Sequence, residues 1–396
     1  MSSAAPGFPY ERLRRWPDVE APNLFASDAA DRLLADLAAE AVGAPGLVVI
    51  GDAYGALTLA AAARGARGIR VHQDALTGER ALDANAAALD LAGAYEHRAL
   101  DANAAALDLA GAYEHRALDA GLVRGARTVL LRLPRSLDAL DEISGLIAEH
   151  AHPEVVVLAG GMLKHMTVAM NEVLGGFFHS VEASLARQKA RVLTVREPHP
   201  AAATPGPRWP RRSRDPESGL WICAHGAAFA GTSVDIGTRF LLSVLDDAVP
   251  GAHTAVDLGC GTGVLASALA VSRPGLRVVA TDQSAAAVAS ATATAAANGV
   301  ADRVTVVRDD GLASQPDASA ELIVLNPPFH IGSAVHTGAA LRLFADAGRV
   351  LAPGGELWTV WNSHLGYRAA LERSVGPTRQ IARNAKFTVT ASRKRP

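Results

Sequence analysis

Residues 320–331 read AELIVLNPPFHI, an apolar run suited to a buried strand that ends in Asn326, Pro327, Pro328 and Phe329. Prolines cannot donate to a sheet ladder, so the sheet gains nothing from two of them at a strand mouth. The amide oxygen of Asn326 and the carbonyl of Pro327 can each accept an N–H from an exocyclic amine on a nucleobase. Such an amine is a poor nucleophile, because its lone pair is conjugated into the ring. Held by two acceptors, it turns that lone pair outward, and proline fixes the direction of the second acceptor. Phe329 can stack on the base face, a contact worth roughly 1–3 kcal/mol. These four residues are the candidate catalytic set, and their chemistry is the preparation of an amine for attack. His330, His336 and His364 read as polar loop residues rather than general bases.

A second constellation lies upstream. VDLGCGTGVLA (256–266) reads as a strand, a glycine turn and a helix start. Gly259, Gly261 and Gly263 let the backbone approach a ligand at a helix N-terminus. Asp257, inside the strand end, can meet an amino-acid ammonium group. Asp282 ends the next strand, where a carboxylate can accept both ribose hydroxyls. RDDG (308–311) ends the third, and Asp310 there can accept an adenine amino group, with Asp309 the alternative register. An ammonium, a ribose and an adenine together describe S-adenosylmethionine better than a dinucleotide, which brings a pyrophosphate. Its methyl group is already activated, so positioning the acceptor supplies most of the rate. No metal ligand set is expected.

The elements that must hold these residues alternate short apolar strands with Ala/Leu-rich helices, the pattern of parallel sheets covered by helices. Strands are expected at 46–51, 69–73, 128–133, 154–159 and 190–196, then at 254–258, 277–282, 303–308, 320–325 and 354–361. The stretch EPHPAAATPGPRWPRRSRDPESG (197–219), rich in proline and arginine, reads as an exposed linker. Its Arg208, Arg211, Arg212 and Arg214, and Arg393, Lys394 and Arg395 near the end, are possible phosphate contacts.

The halves resemble each other. VVIGDAYGALTLAAA (48–62) overlays VDLGCGTGVLASALA (256–270), so that Gly51 meets Gly259, Gly55 meets Gly263 and Asp74 meets Asp282. Pro134 then meets Pro328, while Val49, Ala53 and Arg132 replace Asp257, Gly261 and Asn326. An internal duplication in which only the second copy kept its chemistry explains this. A second repeat is of another kind: ALDANAAALDLAGAYEHR occurs at 81–98 and again, letter for letter, at 99–116. Eighteen residues are five helical turns at about 3.6 residues each, so the extra copy is expected to extend or bulge one helix of the first half.

Composition bounds the rest. A chain of 396 residues with 49% apolar and 20% charged residues is globular, with room for two domains. A net charge of −2 gives no global basic footprint, so nucleic acid would be met by local patches. Two distant cysteines, Cys223 and Cys260, argue against a disulfide framework or a cysteine-built zinc site and suit a reducing cytoplasm. No export signal or membrane span is evident.

DLGCGTG followed by NPPFH resembles the bacterial ribosomal RNA guanine-N2 methyltransferases, which are built from two tandem methyltransferase-like domains. FASDAADRLLADL (25–37), VVVLAGGMLKHMT (155–167), FAGTSVDIGTRFLL (229–242), WNSHLGYRAALERSVG and IARNAKFTVTAS resemble further segments of that family. The resemblance implies an α/β fold of two Rossmann-like class I methyltransferase domains, each a parallel-dominated seven-stranded sheet with helices on both faces. The first (1–196) would be degenerate and RNA-binding, 197–219 a linker, and 220–396 catalytic. It further implies that Asp257, Gly259, Gly261, Gly263, Asp282 and Asp310 bind S-adenosylmethionine, that Asp235, Gly237 and Thr238 close over it, and that Asn326, Pro327, Pro328 and Phe329 hold the guanine. The expected partner is ribosomal RNA, with 23S favoured over 16S, and the expected state is a cytoplasmic monomer. Adenine-N6 and protein-glutamine methylation share the Asn-Pro-Pro-aromatic motif, but Phe-His and the duplicated inert half favour guanine. A nicotinamide-dependent dehydrogenase would need an acid–base set such as Tyr-x-x-x-Lys, which does not follow the nucleotide fold. A non-catalytic RNA-binding factor would not need the intact motifs of the second half.

Overall fold

The computed structural model describes residues 8–40, 45–97, 110–199, 208–327 and 337–395. They form two compact units, divided between Arg208 and Trp209. In the first unit the chain runs α1 (Ala29–Leu37), β1 (Leu47–Ile50), α2 (Ala56–Ala63), β2 (Ile69–His72), α3 (Leu76–His97), β3 (Tyr113–His115) and α4 (Ala120–Val123). It continues through β4 (Thr128–Arg132), α5 (Leu137–His150), β5 (Val156–Met162), α6 (Val168–Gly175), β6 (Phe178–Ala183) and β7 (Ala190–Pro198). The second unit comprises β8 (Arg211–Arg214), β9 (Trp221–Ala224), α7 (Ile236–Leu242), β10 (Thr254–Leu258), α8 (Val264–Ser272), β11 (Arg277–Asp282) and α9 (Ala285–Ala297). After them come β12 (Val304–Arg308), β13 (Ala320–Leu325), α10 (Thr337–Val350), β14 (Leu351–Asn362), α11 (Arg368–Ser374), β15 (Thr378–Arg383) and β16 (Phe387–Arg393).

Each unit holds one seven-stranded sheet, ordered β3-β2-β1-β4-β5-β7-β6 and β12-β11-β10-β13-β14-β16-β15. Pairing is parallel up to β5 and β14, and the closing hairpins are antiparallel. The central strands are apolar end to end because helices cover both faces: Thr254–Leu258 and Ala320–Leu325 are almost wholly buried. In each sheet the order reverses between the first and fourth strands, β1 and β4 or β10 and β13. Ligands of open α/β sheets bind at the carboxyl ends of the strands at this switch point.

Register makes the duplication exact at the site. Ile50 pairs with Leu131 and Leu258 with Leu325, so the next residues, Arg132 and Asn326, are counterparts. The second strands correct the sequence overlay by one residue. Gly51 N–H donates to His72 C=O as Gly259 N–H donates to Thr281 C=O. Gln73, not Asp74, is therefore the counterpart of Asp282.

The expected linker is shorter than 197–219. β7 runs to Pro198, and Arg211–Arg214 pair with β9 in a hairpin of the second unit. β9 is held by the side chains of a helix. The N–H groups of its Trp221 and Cys223, and of His225 just beyond it, donate to Asn298, Thr294 and Ser290 at 2.9, 3.0 and 2.9 Å. Every second residue of a strand advances about 6.8 Å and every fourth of a helix about 6 Å, so the two periods nearly match.

The tandem repeat takes two conformations. AGAYEH of the first copy (92–97) ends α3, whereas the second AGAYEHR forms a 3₁₀ turn and then β3, an edge strand parallel to β2. Tyr113 Oη donates to Asp83 Oδ1 at 2.7 Å, and His115 Nε2 bonds the same oxygen at 3.0 Å. Residues 98–109, the end of the first copy and most of the second, lie outside the described residues.

Candidate functional site

The glycine turn links β10 to α8. Gly259, Gly261 and Gly263 have φ of 70°, 52° and 74°, a region that side chains with a Cβ rarely adopt. A Cβ on Gly263 would also lie 2.8 Å from the Ala291 Cβ of α9, so that glycine is required twice over. Above Gly259 and Gly261 a Cβ would meet nothing within 4 Å, which leaves open space over the turn. Asp282 borders it: Oδ2 accepts from Gly261 N–H and Oδ1 from Ser284 N–H, each at 2.9 Å. Asp257 is 1% exposed, and its Oδ2 accepts from Ala266 N–H in the first turn of α8 at 2.9 Å. Burial, with the charge of Asp282 adding to it, pushes its carboxyl up to about 7.

At the end of β12 the two aspartates divide. Asp309 is buried, with Oδ2 accepting from Ser314 N–H and Oγ–H at 2.8 Å and Oδ1 from Asp310 N–H at 2.9 Å. That carboxylate is committed to its own loop, and Asp310 beside it is half-buried.

Asn326 follows β13 across the switch point from the turn. Its Nδ2 donates to Asp235 Oδ2 at 3.0 Å and to Thr238 Oγ1 at 2.9 Å. Its Oδ1 is buried and has no partner among the described residues. A buried acceptor without a donor costs free energy until a ligand supplies one. Pro327 is buried beside it, and Pro328 and Phe329 lie outside the described residues, as do His330 and His336. Asp235 is the N-cap of α7, and its Oδ2 also accepts from Gly237 N–H at 2.9 Å and Thr238 N–H at 3.2 Å. Asp235 and Thr238, expected over the cofactor, thus direct their side chains to Asn326. Sequence spacing gave no sign of this, since 91 and 88 residues separate the partners.

Neighbouring strands complete the acceptor side. A Cβ on Gly237 would lie 3.3 Å from Asn326 Oδ1 and 3.4 Å from the ring of Phe387, the first residue of β16. Asn362, at the end of β14, carries a second buried amide oxygen without a partner among the described residues. The turn before Phe387 is fixed by Asn384 Oδ1, which accepts from Lys386 and Phe387 N–H at 2.9 and 2.7 Å. Arg383 and Lys386 flank that turn, both exposed and without an acidic partner among the described residues. The cations expected to meet phosphates are largely engaged elsewhere: Arg208 pairs with Asp141, Arg212 lies over Trp221, and Lys394 Nζ donates to the Arg349 and Leu351 carbonyls.

In the first unit the same position is filled differently. Val49 and Ala53 stand where the second unit has Asp257 and Gly261. Arg132 donates to both oxygens of Asp28, at 3.1 and 3.0 Å, and its Nε is 3.3 Å from Asp31 Oδ1. Among the described residues no group of three or more His, Cys, Asp or Glu could hold a metal ion, and no helix is long and apolar enough to cross a membrane.

Comparison with known proteins returns two family models. "Methyltransferase small domain" matches residues 219–391, and "RLMG N-terminal domain" matches 2–96 and 92–199, in two pieces that meet at the repeat. The chain is 35% identical over 395 residues to the "Ribosomal RNA large subunit methyltransferase G" of Streptomyces coelicolor, covering 95% of this chain and 96% of that one. The Shewanella amazonensis protein of the same name is 33% identical, with 95% and 94% covered. A similar solved structure is the T. thermophilus 16S rRNA N2 methyltransferase RsmC in complex with AdoMet and guanosine. Its TM-score is 0.70 at 21% identity, with 95% of this chain and 97% of that chain covered, a likeness of fold.

Proposed function

The chain belongs to the ribosomal RNA large subunit methyltransferase G family, and we propose that it methylates the exocyclic N2 amine of a guanine in large-subunit ribosomal RNA. It is an S-adenosylmethionine-dependent ribosomal RNA methyltransferase of two tandem methyltransferase-fold units. The observation that carries the choice of acceptor is the buried Oδ1 of Asn326 at the switch point, which has no partner among the described residues.

The second unit fits the cofactor: the glycine turn leaves open space, and Asp282 and Asp257 put carboxylates at its edge and floor. Bound there, S-adenosylmethionine supplies a methyl group on a sulfonium. We assign Asp257 to its ammonium, Asp282 to the ribose hydroxyls, Asp310 to the adenine amine, and Gly259, Gly261 and Gly263 to the close approach of backbone. Asn326 Oδ1 and the Pro327 carbonyl accept the two N–H groups of the guanine amine and aim its lone pair toward the cofactor. We assign Pro328 and Phe329 with them to holding the guanine, Phe329 by stacking on the base. Such a base must lie in a loop or be flipped out, because a paired amine cannot enter the pocket. Arg383 and Lys386 are positioned to meet the phosphates beside it. The first unit holds RNA and binds no cofactor, and the enzyme works in the cytoplasm as a monomer.

Nucleoside mapping of ribosomal RNA from a strain lacking the gene tests this reading. The expected result is the loss of one N2-methylguanosine from 23S RNA, restored by the wild-type gene and not by Asn326→Ala. Unchanged 23S modification, with a loss from 16S RNA or from protein, would contradict it.

A further inference from the structure

We propose that Asp235 and Thr238 are positioning residues for Asn326, holding its amide so that only the carbonyl oxygen faces the acceptor base. This rests on the reading of Asn326 as the group that receives the guanine amine. An asparagine amide has two ends of nearly equal size, one accepting and one donating. Reversed, it would point two donors at an amine that itself donates, and the contact would be lost. Here Nδ2 is spent on Asp235 Oδ2 at 3.0 Å and Thr238 Oγ1 at 2.9 Å. A carboxylate cannot donate, so it favours this orientation alone. Its charge also polarises the amide and leaves Oδ1 a stronger acceptor. Gly237 makes the approach possible, because a Cβ there would come within 3.1 Å of Asp235 Oδ2 and 3.3 Å of Asn326 Oδ1.

The first unit carries an independent copy of the arrangement. Its α1 N-cap Asp28 and the third helical residue Asp31 bind Arg132, the register counterpart of Asn326. Asp235 and Thr238 hold the same places relative to α7. Helix capping accounts for the bonds from Gly237 and Thr238 N–H, but not for a strand-end residue bound by the same cap in both units. What differs is the side chain that is held. A guanidinium has only donors, so the first unit has no oxygen to offer an amine.

Steady-state kinetics on ribosomal RNA, cofactor titration and thermal melting of the full chain test the assignment. Asp235→Asn keeps an N-cap side chain but no longer dictates which end of the Asn326 amide turns outward. Thr238→Val removes the hydroxyl at constant shape, and Thr238→Ser restores it. The expected result is a fall in kcat of about 10–100-fold for Asp235→Asn, as for other small misplacements of a reacting group. Thr238→Val should show a smaller fall, and Thr238→Ser should recover most of it. Cofactor Kd, KM for RNA and melting temperature should not change. A cofactor Kd weakened as much as kcat falls would overturn the assignment in favour of contacts to the cofactor, and so would unchanged kcat in both Asp235→Asn and Thr238→Val. Absence of methyl transfer by the wild type would contradict the functional reading instead.

Discussion

Asn326 and Asp257 divide the chemistry between acceptor and cofactor, and their variants should separate accordingly. Asn326→Ala removes the oxygen that receives the amine. Its kcat should fall by about 10²-fold or more, as when an aimed donor or acceptor is lost, while cofactor Kd stays near wild type. Isothermal titration and single-turnover transfer measure the two, and substantial turnover by the variant would sink the role. Asp257 gives a pH signature. Its folded value of about 7 lies above the unfolded 3.8. Stability from this group is therefore fully present below the unfolded value and is lost as pH rises through about 7. An ammonium ligand favours the ionised form, so cofactor affinity should rise across the same range. The cofactor-induced increase in melting temperature should be larger at pH 8 than at pH 6, and Asp257→Asn should flatten the difference. The residue types of both sites could be read from sequence, because the motifs are local. The bond from Asn326 to Asp235 could not, since it is made only when the sheet brings α7 to the end of β13.

At the scale of elements, the repeat shows how little local propensity decides. One heptapeptide is helix at 92–97 and strand at 113–115, and the difference lies in pairing with β2 and the bonds to Asp83. Deleting 99–116 leaves Tyr95–His97 with the same letters before Ala117, free to take the β3 register. The deletion protein should fold with fewer helical residues by circular dichroism and keep its activity. An aggregated or inactive product would show that the second copy is needed. The strands at each switch point were legible as continuous apolar runs between glycine turns. β8 and β9 were not, because they pair only with each other, β9 is otherwise held by helix side chains, and both follow a proline-rich stretch. The hairpin of β15 and β16 carries a prediction of its own. Arg383→Glu with Lys386→Glu should raise KM for RNA and lower the salt slope of binding by about 1.4, at ~0.7 per contact to single-stranded RNA. An unchanged slope would remove the hairpin from the RNA surface.

Across the whole molecule, two units of one topology carry different residues at the same register positions. Val49, Ala53 and Arg132 leave the first unit without a carboxylate in its first strand, without the middle glycine of the turn and without an amide oxygen at the end of β4. The buried carboxylate at its turn, Asp52, accepts from Leu57 and Thr58 N–H. Calorimetry of the full chain should accordingly find one cofactor site per chain, and two equivalent sites would contradict the division of labour. The duplication itself was visible in sequence, though a one-residue offset at the second strand appears only in the hydrogen-bond register. The most direct measurement of the central claim incubates the purified enzyme and labelled cofactor separately with unmodified 23S and 16S RNA, then digests each to nucleosides. The account predicts label in N2-methylguanosine from 23S RNA. Label in N6-methyladenosine, or confined to 16S RNA, would contradict it.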